Sequence, residues 1–166
     1  MKKLISIAML FAVSTAFVMA HCEIPCGIYG DKMRVEELRE HFQTVEKSMR
    51  KVEELSAKKD KNYNQLVRWV NNKELHANKI QEIVYQYFMN QRIKPVESPK
   101  DKGWDKYVKQ TTLLHKMLVQ AMKCKQTTDK EHVEELRSLL DRFVKVYFGE
   151  SLKESEESGH EHMRKK

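Results

Sequence analysis

Apolar residues recur every three or four positions through most of this chain, and the recurrence breaks into four stretches. The first runs from about Asp31 to Lys58, with Val35, Leu38, Phe42, Val45, Met49 and Val52 on one stripe. A stripe of that period is the mark of an amphipathic helix that buries one face. The second runs from about Asn62 to Arg92 through Leu66, Trp69, Ala77, Ile80, Val84 and Tyr87. The third runs from about Trp104 to Lys125 through Tyr107, Thr111, Leu114, Leu118 and Ala121, and the fourth from about Lys130 to Phe148 through Val133, Leu136, Leu140, Phe143 and Tyr147. Asp31 is placed to cap the first helix, and Thr128 with Glu131 reads as a capping box before the fourth. No stretch alternates with period two for long enough to suggest a sheet.

The connections are short except for Lys94 to Gly103, where Pro95, Pro99 and Gly103 require a loop. Four amphipathic helices joined this way predict an all-α fold, an up-down-up-down four-helix bundle over residues 31–149. Residues 150–166 are polar and aperiodic and predict a disordered tail. His160 and His162 fall there. His41, His76, His115 and His132 are spread one to a helix, without the spacing of a metal site, and read as ordinary helix residues.

Ahead of the first helix the pattern changes twice. Residues 1–20 carry Lys2 and Lys3, then an almost wholly apolar run, and end in the small residue Ala20. That is the plan of a cleaved secretory signal; the run is short of the ~20 apolar residues a membrane span needs. Cutting after Ala20 leaves no stable membrane anchor and predicts export, to the periplasm or the cell exterior. It also takes the basic count from 31 to 29, against 24 acidic residues, so the net charge falls from +7 to +5. The charges are interspersed along the helices and form no nucleic-acid-binding stripe. There is no glycine-rich phosphate loop and no Ser/His/Asp signature.

The predicted cut leaves His21 at the new end, with Cys22 and Cys26 close behind. An α-amino group has a pKa of about 8, so its neutral form is reachable, and the imidazole of the same residue can close a chelate with it. Pro25 bends the chain and Gly27 permits a tight return. A hook of two nitrogens and two sulfurs in a plane points to Cu(II) or Ni(II), whereas zinc prefers a tetrahedral cage. Other readings of the same residues are a short disulfide in an oxidising compartment, an exported carrier that binds copper or nickel without turnover, and a structural helical oligomer. The third cysteine, Cys124, reads as a half-buried free thiol.

The stretch HCEIPCGIY, residues 21–29, resembles the metal-binding hook of nickel-dependent superoxide dismutases, and the four stripes suit the helical bundle of that family. The resemblance implies one nickel ion per subunit. His21 would supply amine and imidazole nitrogens, Cys22 an amide nitrogen and thiolate, and Cys26 a thiolate. It implies dismutation of superoxide to dioxygen and hydrogen peroxide by Ni(II)/Ni(III) cycling, in a homohexamer. Tyr29 matches the tyrosine that covers the open face of the metal. Glu37, sixteen residues after His21, matches the carboxylate that orients the imidazole. Tyr87 resembles a tyrosine near the subunit contacts. The chain departs from the pattern at Glu23, where Asp is usual, and at Asn72, where some relatives carry an arginine; Arg68 and Lys73 lie nearby.

Overall fold

The computed structural model describes residues 29–149. The expected leader, the three candidate metal ligands and the expected tail fall outside the described residues. Within them lie four long helices and no strand, as the stripes predict: α1 (Asp31–Ser56), α2 (Tyr63–Glu82), α3 (Trp104–Gln126) and α4 (Glu131–Phe148). The helix α2 runs on without a break into a π-helical segment, Ile83–Arg92. None of these helices is long and apolar enough to cross a membrane.

The stripes become the core. Leu38, Phe42, Val45 and Met49 of α1 are wholly buried against Ala77, Ile80, Leu114, Met117, Leu136 and Leu140. Burying side chains of this size contributes about 1.5–3 kcal/mol each. The helices close into a ring, with α1 packed most extensively on α2 and α3 on α4. Side-chain bonds show that neighbours run antiparallel. Lys130, at the head of α4, pairs at 2.8 Å with Glu53, near the end of α1. Arg92, at the end of the π segment, reaches Asp31 at the head of α1. Lys73 of α2 donates to the carbonyls of Cys124 and Lys125, at the end of α3. The topology is therefore up-down-up-down.

Several local expectations change. Asn62 caps α2 through its side chain, which accepts from the Gln65 N–H at 3.1 Å. Asp31 does not cap α1: Gly30 holds the cap position and Asp31 is the first helical residue. A carboxylate there still meets the positive end of the helix, and it is free to make tertiary bonds. The Thr128–Glu131 box does not form. Asp129 instead accepts from the Glu131 N–H at 3.0 Å, and the Thr127 hydroxyl accepts from the Asp129 N–H at 3.2 Å. Leu66 and Trp69 are only partly covered, because the first half of α2 reaches past the body of the bundle; its first buried residue is Lys73. Cys124 is fully rather than half buried, and burial pushes its thiol pKa up to about 11. It is a core residue, not a nucleophile.

The candidate metal centre and its surroundings

Asp31 organises the end of the bundle from which the N-terminal segment leaves. Its carboxylate accepts from the Tyr87 hydroxyl at 2.6 Å and from the Tyr147 hydroxyl at 2.8 Å. Arg92 meets it bidentately, Nε and Nη2 each at 2.9 Å. Burial raises the Asp31 pKa, but the bonds from Arg92, Tyr87 and Tyr147 outweigh it and hold the carboxyl below its ordinary range. The same contacts act in reverse on the phenols. Burial and then the bond to Asp31 raise Tyr87, and push Tyr147 up to about 12.

The π winding makes this possible. In an α-helix, at about 100° per residue, positions five apart point about 140° away from each other. A π turn closes its bonds five residues apart and brings such positions onto one face. Tyr87 and Arg92 are five apart, and both reach Asp31. The Ile93 N–H donates to the Phe88 carbonyl at 2.9 Å, which closes the last π turn. Behind them Phe88, Phe143 and Tyr147 pack ring to ring, with centroids 5.0 to 5.7 Å apart, and stiffen this end.

Tyr29, the last residue of the hook-like stretch, sits on that frame. The Arg92 guanidinium lies over its ring, 4.0 Å from the centroid, and its edge meets Tyr87 at 6.2 Å. On the other side of Tyr87 stands Arg34, with its guanidinium 5.3 Å from the Tyr87 ring centre. Arg34 donates to Glu37 Oε2 at 2.6 Å. Tyr29 and Glu37, the two site residues expected within the described part, are thus joined through Tyr87 and Arg34. Glu37, Arg34 and Tyr87 line a cavity of about 210 Å³, together with Lys79, Glu82 and Gln86. Glu37 Oε1 makes no hydrogen bond among the described residues and lies 3.9 Å from His41 Nε2.

Asn72 stands apart from Glu37 and donates to the Ser48 hydroxyl at 2.9 Å. The guanidinium beside the carboxylate belongs to α1 itself. A pair three residues apart on a helix was readable from the sequence as Arg34–Glu37. The Asp31 hub was not, since it joins residues 56, 61 and 116 positions apart.

The donor chemistry agrees with this geometry. Among the described residues no three His, Cys, Asp or Glu side chains come together as a metal site. The candidate donors His21, Cys22 and Cys26, outside the described residues, carry thiol and nitrogen groups of the kind nickel accepts. A helical bundle with such a donor set ahead of its first helix defines a small metalloprotein. The sequence model of the nickel-containing superoxide dismutases matches residues 16–151, a span that includes the hook and all four helices. The chain belongs to that family. It is an oxidoreductase acting on superoxide, with nickel as its metal. No curated protein and no solved structure matches it.

Proposed function

We propose that cleavage after Ala20 exposes His21 and that residues 21–26 then bind the nickel. His21 gives its α-amine and imidazole, Cys22 its amide nitrogen and thiolate, and Cys26 its thiolate. When bound, the nickel supplies the one-electron Ni(III)/Ni(II) couple with which two superoxide ions and two protons become dioxygen and hydrogen peroxide. The family match across residues 16–151 carries this reading, because it takes in the hook as well as the helices.

The chain's own residues have separate tasks. The amide and thiolates donate charge to the site. Glu37 accepts from the His21 imidazole through Oε1, the oxygen that Arg34 leaves unused. Arg34 holds that carboxylate at the edge of the cavity that both line. Tyr29, clamped by Arg92, screens the open face and limits what approaches. The Asp31 hub fixes the point where the hook leaves the bundle.

Assembly into a homohexamer is supported by an unpartnered apolar face. Tyr63, Val67 and Leu75 of α2 are 68, 55 and 50% exposed, the first two on the half of the helix that reaches past the core and Leu75 just beyond it. Export is supported by the charged and apolar pattern of residues 1–20. The test is to sequence the mature N-terminus of the purified protein, measure its nickel and assay superoxide decay. One residue added before His21 should abolish activity and leave the helical content unchanged. Full activity in that variant would show that the amine is not a ligand.

A further inference from the structure

His41 and His76 were unremarkable in the sequence, one on each of two helices. The fold brings them together. Their Nδ1 atoms lie 3.1 Å apart and their rings meet edge to face with centroids 4.9 Å apart. His41 is 7% exposed, and its other nitrogen, Nε2, is buried without a hydrogen-bond partner among the described residues. The charged group that Nε2 faces is Glu37, at 3.9 Å. We propose that His76 and His41 form a positioning pair: His76 fixes one tautomer of His41, and His41 then steers Glu37 at the metal centre.

The tautomers follow from elimination. Two nitrogens 3.1 Å apart cannot both carry protons, so one Nδ1 is bare. If His41 donated from Nδ1, its Nε2 would be a buried lone pair turned toward a carboxylate, with no donor to satisfy it. If His76 donates instead, His41 carries its proton on Nε2, and an N–H points at Glu37. Only the second arrangement leaves no repulsion. At 3.9 Å the Nε2–H attracts Glu37 without bonding it, and a movement of about 1 Å would close a hydrogen bond. Glu37 is thus held from two sides, by Arg34 on Oε2 and by His41 behind Oε1.

The surroundings keep the pair neutral. From α1, Glu37 and Glu40 face His41; from α2, His76 and Lys79 do. Burial, then His76, lowers the His41 pKa, with Lys79 adding to the effect, and burial followed by Lys79 lowers that of His76. Two imidazoles at this separation could also be the start of a metal site. No third donor joins them among the described residues, and the positive charge of Lys79, which lowers both imidazole pKa values, opposes a cation there.

The inference rests on the assignment of Glu37 to the metal centre, and its test separates the two. Long-range ¹H–¹⁵N NMR of the purified protein should show His41 with a bare Nδ1 and a protonated Nε2 at neutral pH. His76→Phe removes the donor and should cut the rate of superoxide decay about 10-fold, with nickel content and helical content unchanged. His76→Asn keeps a donor near the Nδ1 position and should recover most of that loss. His41→Asn should behave as His76→Phe does, and His41→Gln, which carries an N–H near the Nε2 position, should recover. A proton on His41 Nδ1, or a full rate in His76→Phe, overturns the pair while leaving the nickel centre intact. A wild-type protein without nickel or activity removes both.

Discussion

Asp31 shows how much one side chain can hold. Three hydroxyl or guanidinium groups from two other elements converge on it, and a single substitution tests them all. Asp31→Asn keeps the shape and removes the charge, leaving Arg92 without its partner. The loss should be about 1.5–3 kcal/mol, the range for hydrogen bonds to a charged group, read from the denaturant midpoint. The pH dependence has a definite sign. A carboxyl whose folded pKa lies below its unfolded value of 3.8 contributes stability above that value, and the contribution fades as pH falls through the folded pKa. Wild type should therefore lose stability below about pH 4 more steeply than Asp31→Asn. At the other end Tyr147 is raised from 10.0 to about 12, so its contribution is complete below pH 10 and fades as the pH climbs toward 12. The histidine pair adds a third window. Both pKa values are lowered from 6.5, so stability declines as pH falls below that value, where the unfolded chain takes up protons first. Thermal unfolding followed from pH 3 to 11 should meet the carboxyl first, then the histidine pair, then the onset of the tyrosine step.

At the scale of the element, the π segment is the unusual feature. An ordinary α-helical continuation of α2 would point Tyr87 and Arg92 about 140° apart and could not aim both at Asp31. Removing the exposed residue Asn90 brings them four apart, a spacing that shares one face of an α-helix, and favours an α-like winding. Helical content by circular dichroism should hardly change. The midpoint of unfolding should also hold, because Tyr87 and Arg92 can both still reach Asp31. A large fall in the midpoint would mean that the π winding serves some other contact.

At the scale of the whole molecule, the ring of helices leaves one half of α2 without a core. Tyr63, Val67 and Leu75 would be a cost to a lone monomer and an asset to an assembly. Val67→Glu combined with Leu75→Glu should lower the mass found by sedimentation, with the helical content kept. An unchanged mass would place the subunit contact elsewhere. The bundle is otherwise tied end to end. Lys73 anchors the end of α3 to α2, and Arg137 joins Glu46 across α1 and α4 at 2.7 Å. Exposed pairs such as Lys130–Glu53 add little, because water screens them.

Helix number, order and most of the core were readable in the chain, because a 3.6-residue period states which face is to be buried. The proposed hook was readable too. Its candidate ligands are neighbours in sequence, so their chemistry needs no fold to bring them together, and Arg34 with Glu37 obeys the same local rule. What the chain could not show is anything that depends on which helix ends meet. Asp31 looked like a cap until Tyr87, Arg92 and Tyr147 arrived from the far ends of two other elements. Leu66 and Trp69 fitted the stripe yet missed the core, because period does not reveal where a neighbouring helix stops. His41 and His76 had no pattern at all. Only the crossing of α1 and α2 sets two imidazole nitrogens 3.1 Å apart, and that contact exists in no stretch of sequence.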